Sequence, residues 1–235
     1  MRINRKLSIV IPSFNDDEAL VKTLSSIACL DCVKDLDVVV VDGGSSDNTL
    51  KVIDTFSETI NTYISASDDG EYDAMNKGID LSSTQNILFL MAGDCLYQSD
   101  VALDLSSLIG PCFISVYRAR AAGKLQRLNP KSSMFFGLPH CHQGIIFHKP
   151  LARFNTEYRI SADFEHYLAC GYSFNLRQYE CPFYVVYDEG HSGKNYLIRD
   201  AEIQSISRLH FGFVVGLFTF SFFKLKHLAK FFYKA

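Results

Sequence analysis

The chain has 235 residues, of which 48% are hydrophobic and 21% are charged, and its formal net charge is -3 at pH 7. This length and composition suit one domain with a substantial core, and they exclude a disordered chain or a protein with several membrane spans. A protein that binds nucleic acid usually carries a clear basic excess, so the near-neutral charge argues against nucleic acid as a partner.

The first hundred residues alternate between predicted strands and helices. In chain order these are strand Leu7–Ile11, helix Asp16–Ala28, strand Asp37–Val41, helix Asp47–Phe56, a weak strand Tyr63–Ile64, helix Tyr72–Leu81 and strand Ile87–Met91. Apolar strands separated by helices indicate a mostly parallel sheet flanked by helices on both faces. We therefore predict a Rossmann-like α/β fold.

Acidic residues follow three of these strands. Asp42, Asp68–Asp69 and Asp94 come where the strands end, and ligands of such sheets bind beyond the carboxyl ends of the strands. A cleft with this many carboxylates would repel a phosphate group unless a divalent cation bridged the two. The pattern thus predicts a metal-assisted phosphate site.

The second half of the chain is less regular. Strands are predicted at Phe113–Tyr117, Gly144–Phe147 and Phe183–Tyr187, and a helix at Ala162–Cys170. We expect these strands to extend the same sheet. Cys29 and Cys32 form a CxxC pair, but it closes a helical segment rather than opening one, so we interpret it and the other cysteines as structural free thiols of a reducing compartment.

The C-terminal segment, residues 201–235, is predicted to be helical and amphipathic. The apolar run Phe211–Phe223 has thirteen residues, fewer than the about 18 that a membrane-spanning helix needs. Drawn as a helix, the segment has one apolar side and one basic side. The apolar side holds Phe222, Leu225, Leu228, Ala229 and Phe232, and the basic side holds Lys226, His227, Lys230 and Lys234.

Such a helix is typical of proteins that rest on anionic lipid. The alternative is that it packs on the protein's own core or on a second subunit in a homo-oligomer. The N-terminus has no signal-peptide pattern. We therefore expect a cytoplasmic protein that associates peripherally with the inner face of the cytoplasmic membrane.

Common nucleotide-binding motifs are not present. Gly43–Asp47 follows a strand and opens a helix, but it has neither the GxGxxG spacing of a dinucleotide site nor the lysine of a P-loop. There is also no GxSxG nucleophile elbow. Dehydrogenase, NTPase and hydrolase activities are therefore disfavoured.

Four sequence blocks resemble the inverting family 2 glycosyltransferases, which have the GT-A fold. The blocks are Ser8–Asn15 (SIVIPSFN), Val40–Thr49 (VVDGGSSDNT), Asp68–Gly78 (DDGEYDAMNKG) and Gly93–Asp94. The third block resembles bacterial members that build surface polysaccharides, the colanic-acid-type subgroup. The resemblance implies transfer of a sugar from a nucleoside-diphosphate donor, by default a UDP-sugar, to a lipid-linked or saccharide acceptor.

The resemblance also assigns residues to the donor site. The turn Pro12–Ser13–Phe14 would pass under the nucleotide base, Asp42 would hydrogen-bond the base or ribose, and Asp69 would contact the base. Asn76 and Lys77 would lie close to the donor. Asp94 matches the last carboxylate of the family's DxD motif, which holds Mn²⁺ or Mg²⁺, while Ala92 stands where the first carboxylate would be. His191, in a loop flanked by glycines, is a second candidate metal or diphosphate ligand.

On the acceptor side, two further blocks match the family. His142–Gln143–Gly144 and Ser161–Glu165 resemble its acceptor-side motifs, and Asp163 matches the catalytic base, with Glu165 as a weaker candidate. We expect a catalytic domain over residues 1–200, with the donor half at 1–110 and the acceptor half at 111–200.

Two alternatives differ from this interpretation. A sugar-nucleotide pyrophosphorylase has a similar architecture, but it usually carries a glycine-rich, arginine-containing loop where this chain has Pro12–Asp17. A degenerate glycosyltransferase, kept as a non-catalytic binding or scaffold subunit, is compatible with the incomplete DxD motif.

Overall fold

The computed structural model describes residues 5–100, 105–120, 123–131, 135–173, 175–187 and 195–233, with side chains given up to residue 225. The six helices of this part of the chain are α1 (Asp17–Ala28), α2 (Thr49–Thr55), α3 (Glu71–Leu81), α4 (Ala162–Ala169), α5 (Tyr196–Phe211) and α6 (Phe213–Tyr233). Its strands are β1 (Leu7–Ser13), β2 (Leu36–Asp42), β3 (Thr62–Ser65), β4 (Asn86–Phe89), β5 (Cys95–Gln98), β6 (Cys112–Phe113), β7 (Val116–Ala119), β8 (Leu125–Arg127), β9 (Ile145–His148), β10 (Arg177–Gln178) and β11 (Phe183–Tyr187).

The main sheet has seven strands in the order β10-β6-β9-β4-β1-β2-β3. Its central part, β4-β1-β2-β3, is parallel, as the alternation of apolar strands and helices predicts. β9 runs antiparallel to both β4 and β6. Strands β2 and β3 are added on one side of β1, whereas β4 is added on the other side. The strand order therefore reverses beside β1, and ligands of open α/β sheets bind at such a point.

A second sheet of four strands has the order β5-β11-β7-β8. The expectation that the second half only extends the main sheet is therefore wrong for Phe183–Tyr187, which pairs with β5 and β7. The predicted strand Phe113–Tyr117 is also divided between the two sheets. Its crossing point is visible in two hydrogen bonds: Ile114 N–H donates to the Gly144 carbonyl at 2.8 Å, whereas the Ser115 carbonyl accepts from Val185 N–H at 3.1 Å.

The core lies on both faces of the main sheet. On one face, alternate strand residues such as Ile9 and Val40 pack against α1 and the second sheet. On the other face, their neighbours, such as Val10 and Val39, pack against α3, α4 and α5. All these strand side chains are buried, which explains why the strands are uniformly apolar.

Helix α5 is part of this core. Ile203 and Ile206 are buried against the face that also holds α3 and α4, so the boundary expected at residue 201 falls inside a packed helix. In α6, by contrast, Phe223 is buried, while Phe222 and Leu225 are exposed. No helix in the described part of the chain is long and apolar enough to cross a membrane.

Candidate functional site

A cleft of about 580 Å³ opens at the carboxyl ends of the central strands. It is lined by residues that follow β1, β2, β3 and β4, together with the start of α3. These are Pro12, Ser13, Phe14, Asp16, Gly43, Gly44, Ser67, Asp68, Gly70, Glu71, Ala74, Met91 and Ala92. The predicted turn Pro12–Phe14 is thus a wall of the cleft, and the Phe14 ring is 61% exposed and available for stacking.

The hydroxyl of Ser13 has an unusual position. The residue is only 6% exposed, and its Oγ has no hydrogen-bond partner among the described residues. Buried hydroxyls are nearly always hydrogen-bonded, so the unpaired Ser13 hydroxyl is unusual in the wall of this cleft.

The loops that frame the cleft are held together by hydrogen bonds between them. Asn15, with a positive φ of 49°, accepts a bond from Ser46 N–H at 2.8 Å through Oδ1, and its own N–H donates to Ser45 Oγ at 2.8 Å. The turns after β1 and β2 are therefore fixed relative to each other without a ligand.

Asp42, predicted to contact the base or ribose, is fully buried at the end of β2. Its carboxylate accepts hydrogen bonds from Ser45, through both N–H and Oγ, and from Ser65 Oγ. In this structure it joins the ends of β2 and β3 and lies next to the lining residue Gly43.

Two other predicted donor residues lie on α3. The side-chain amide of Asn76 is paired with the Phe154 backbone, donating at 3.0 Å and accepting at 2.8 Å. Lys77 Nζ donates to the carbonyl of Ser67, a lining residue, and lies 3.0 Å from the Asp73 carboxylate. Lys77 is therefore at the cleft edge, whereas Asn76 joins α3 to the acceptor half.

The loop before α3 brings acidic residues into the cleft. The Asp68 carboxylate lies close to Gly43, because a Cβ on Gly43 would be 2.9 Å from its Oδ2. Asp69 is exposed on the same loop, and its N–H donates to Asp73 at 3.3 Å. Glu71, which the sequence analysis did not single out, also lines the cleft.

The charge of the cleft is one-sided. Three lining residues are acidic, namely Asp16, Asp68 and Glu71, and none is lysine, arginine or histidine. A nucleoside diphosphate would meet repulsion here without a cation, because no lining residue supplies positive charge.

Asp94 lies just behind the lining residues Met91 and Ala92. It is 5% exposed, and its Oδ2 accepts a bond from Met91 N–H at 3.3 Å in the turn after β4. Thr23 Oγ1 donates to the Asp94 carbonyl at 2.8 Å, which fixes this turn to α1. The described residues contain no group of three or more His, Cys, Asp or Glu side chains that could hold a metal ion. Asp94 is thus a buried carboxylate behind the cleft wall and is not part of a cluster of metal-binding side chains among the described residues.

Asp163 is in the first turn of α4 and is partly buried. Burial raises the pKa of its carboxyl to about 6, and the negative charge of Glu71 adds to this. The Phe164 N–H, which donates to Oδ1 at 2.7 Å, and the positive charge of Lys131 act in the opposite direction. A carboxyl with this pKa is well suited to take up a proton near neutral pH.

Asp94 and Asp163 both influence the thiol of Cys141. Burial raises its pKa to about 12, and the charges of both carboxylates contribute in the same direction. Tyr72, on α3, is also influenced by Asp163. Burial and the negative charge of Asp163 raise the pKa of the Tyr72 hydroxyl well above its usual value. Cys141 and Tyr72 were missed by the sequence analysis, although each lies beside or within a recognised block.

The predicted acceptor-side residues do not all face this region. His142 is buried in the core, stacked on Phe89 with ring centroids 5.6 Å apart, and burial lowers its pKa to about 4. Gln143 Oε1 accepts a bond from the Cys141 thiol at 3.0 Å. Glu165 lies 3.5 Å from His210 of α5. His191 is outside the described residues.

All seven cysteines are unpaired in the structure. The pKa of Cys32 is raised by burial to about 11, whereas redox-active CxxC thiols have a lowered pKa. This agrees with a structural role for the Cys29–Cys32 pair.

Comparison with known proteins matches residues 8–141 to the glycosyl transferase family 2. A curated relative, the PGL/p-HBAD biosynthesis glycosyltransferase of Mycobacterium bovis, is 33% identical over 182 residues, covering 69% of this chain and 68% of the relative.

Solved structures with the same fold include Staphylococcus aureus TarS, with a TM-score of 0.63 and 16% identity. The match covers 85% of this chain and 39% of the TarS chain. The chain therefore spans about two fifths of TarS. The mannosyltransferase PcManGT of Pyrobaculum calidifontis has a TM-score of 0.58 and 14% identity over 92% of this chain and 74% of its own. These likenesses confirm the GT-A fold. With the family match over more than half of its length, the chain belongs to glycosyl transferase family 2.

Proposed function

We propose that this glycosyltransferase transfers a sugar, with inversion, from a nucleoside-diphosphate donor to a lipid-linked or saccharide acceptor in surface polysaccharide or glycolipid assembly. The observation that carries the proposal is the cleft at the carboxyl ends of the parallel strands, whose described lining residues include three acidic side chains and no basic one. Asp94 follows the lining residues Met91 and Ala92 in the chain, and Asp163 comes shortly after Ile160, whose carbonyl is bonded to Tyr72 of α3. The cleft would receive the donor, and Asp163 would act on the acceptor.

The donor site is supported by the geometry of the cleft walls. Phe14 offers an exposed ring for the base, and Pro12 and Ser13 form the wall beside it. TarS has been solved with UDP-GlcNAc and PcManGT with GDP-Man and Mn²⁺. A UDP-sugar is our first choice of donor, since the sequence resemblance favours it.

A divalent cation, Mn²⁺ or Mg²⁺, fits the residues present. Asp94 would hold it, because such ions are often bound through one or two carboxylates together with phosphate oxygens. The bound ion would neutralise the charge that develops on the departing diphosphate. The described lining residues of the cleft include three acidic side chains and no basic one, which is consistent with this need for a cation.

In the reaction we propose, the acceptor hydroxyl oxygen bonds to the anomeric carbon of the donor sugar. The bond from that carbon to the diphosphate oxygen breaks, and the nucleoside diphosphate leaves with the bonding electrons. Asp163 takes the proton of the acceptor hydroxyl. Its raised pKa makes it a stronger base than an ordinary aspartate while leaving it ionised at neutral pH.

A lipid-linked acceptor would agree with the exposed side chains of α6. Phe213, Val214, Leu217, Phe218 and Phe220 are each at least 46% exposed, and lysines follow from Lys224 onward. Exposed apolar residues next to basic ones are typical of helices that rest on anionic membranes. We propose that α6 lies on the inner face of the cytoplasmic membrane.

A thermal-shift experiment tests the donor site. UDP, GDP, dTDP and their common sugar conjugates would be added with and without Mn²⁺. At about 100 times its dissociation constant, a ligand that binds only the folded state adds about 2.7 kcal/mol of stability. We expect stabilisation by one nucleotide family, enhanced by Mn²⁺.

Two variants make the test specific. Asp94→Ala should lose the Mn²⁺ enhancement, whereas Asp54→Ala, an exposed aspartate on α2, should keep it. Enhancement that survives in Asp94→Ala would refute the metal role. If the wild type binds a donor but never turns it over, the protein is instead a degenerate, non-catalytic glycosyltransferase, the alternative that Ala92 suggests.

A further inference from the structure

Glu202, on α5, binds the backbone just ahead of the helix that carries Asp163. Its carboxylate accepts three consecutive N–H groups, from Arg159 at 2.7 Å, Ile160 at 3.0 Å and Ser161 at 2.9 Å. Hydrogen bonds from N–H groups to an ionised acceptor are shorter and stronger than bonds between neutral groups. This one side chain therefore fixes the backbone of the whole segment 159–161.

The same segment is held from the opposite side by the donor half. The Tyr72 hydroxyl, on α3, donates to the Ile160 carbonyl at 2.9 Å. Segment 159–161 thus lies between α3, which borders the cleft, and α5. Its position is set by long-range contacts rather than by its own sequence.

Asp163 follows this segment directly. Ser161 is the residue before α4, and it makes no side-chain capping bond to that helix. The Glu202 carboxylate supplies bonds to the backbone there instead, and its negative charge is favourable at a helix N-terminus. Because Asp163 lies two residues after Ser161, in the first turn of α4, the bonds to Glu202 that fix Ser161 also fix the position of Asp163.

We propose that Glu202 is a positioning residue for the base Asp163. This inference rests on the proposed function, because it assigns Glu202 no contact with substrate and no role except through Asp163. A shift of about 1 Å in a catalytic group can cost about 10²-fold in rate. Loss of Glu202 should therefore lower kcat, while the KM for the donor stays unchanged, because Glu202 does not line the cleft.

The experiment compares Glu202→Ala and Glu202→Gln with wild type and with Glu58→Ala, an exposed glutamate after α2. Turnover is measured as release of nucleoside diphosphate from UDP-glucose, UDP-galactose and UDP-GlcNAc, with water or an added alkyl glycoside as acceptor. Hydrogen exchange of the peptide covering residues 159–161 is measured in parallel, and UDP binding by thermal shift shows that each variant is folded.

We expect Glu202→Ala to lose 10- to 100-fold in kcat with an unchanged donor KM, and to exchange the amides of 159–161 faster. Glu202→Gln keeps one acceptor oxygen and should retain more activity than Glu202→Ala. Glu58→Ala should behave like wild type. A purely structural role would lower thermal stability and donor binding together and would not produce this split.

The inference is overturned if Glu202→Ala keeps full kcat, or if exchange of 159–161 is the same as in wild type. Asp163→Asn separates this failure from that of the proposed function. An inactive Asp163→Asn beside a fully active Glu202→Ala removes only the role of Glu202. A fully active Asp163→Asn removes the base itself.

Discussion

At the residue scale, the environment of Asp163 determines what this carboxyl can do. Burial raises its pKa to about 6, while the Phe164 N–H and Lys131 limit the rise. A general base must be ionised to accept a proton. The raised pKa makes the carboxylate more basic, and a pKa of about 6 still leaves most of it ionised at pH 7. His142, another buried titratable group, has a lowered pKa and is neutral at pH 7.

The pH dependence of turnover follows from this. Because the proposed base Asp163 would act in its ionised form, kcat/KM should fall tenfold per pH unit below about pH 6 and level off above it. A pH–rate profile between pH 4.5 and 8 measures the midpoint. Asp163→Asn should lower kcat about 10²- to 10⁴-fold and abolish this limb, with donor affinity unchanged. A profile centred near pH 4, the value of an ordinary aspartate, would contradict the assignment.

At the element scale, α3 packs very closely on β1, and the contact holds the cleft floor in place. A Cβ on Gly78 would lie 2.2 Å from Val10 Cγ1, so this helix position has room only for glycine. The contact brings the cleft-lining start of α3 next to the turn after β1. The glycine lowers helix propensity but allows the approach.

Gly78→Ala should therefore destabilise the protein, although alanine favours helices. Overpacking a buried contact costs about 1–3 kcal/mol, against about 1 kcal/mol gained from helix propensity. We expect a net loss of about 1 kcal/mol in the free energy of unfolding, measured by urea denaturation. The double variant Gly78→Ala/Val10→Ala should show favourable coupling between the two sites, since the shortened Val10 side chain makes room. Strictly additive effects would show that the contact is not the cause.

At the scale of the whole molecule, the C-terminal helices have two different surfaces. Helix α5 belongs to the core through Ile203 and Ile206, and it carries Glu202. Helix α6 packs on the protein through its buried residues Gly216, Thr219 and Phe223 and through ring contacts of Phe218 and Phe222 with Phe136, while Leu217 and Phe220 are exposed. Exposed apolar patches of this kind mark interaction surfaces.

Membrane binding can be tested without disturbing the fold. Leu217→Gln/Phe220→Gln changes two exposed residues and should weaken binding to vesicles containing phosphatidylglycerol by at least tenfold in vesicle flotation, because burying each apolar side chain contributes about 1.5–3 kcal/mol. Leu50→Gln, an equally exposed leucine on α2, is the control. Unchanged binding by the double variant, or equal loss in the control, would reject α6 as the anchor. If the protein does not bind vesicles but its mass in solution rises with concentration, α6 is instead the contact surface of a homo-oligomer.

The sequence by itself predicted the parallel half of the fold and the position of the acidic residues at its edge. Both depend on local patterns, since a buried parallel strand is apolar at every position and its end is marked by a turn. The apolar strands around Ile9 and Val39 therefore lie where they were expected, and Asp68 lines the cleft at their carboxyl ends.

Only the tertiary structure decided the rest. The strand predicted at Phe113–Tyr117 is divided because its residues pair with two different sheets, and pairing partners come from distant parts of the chain. The elevated pKa of Asp163 and the three hydrogen bonds to Glu202 arise in the same way. Burial and long-range contacts depend on how the elements pack together, which no local pattern of residues encodes.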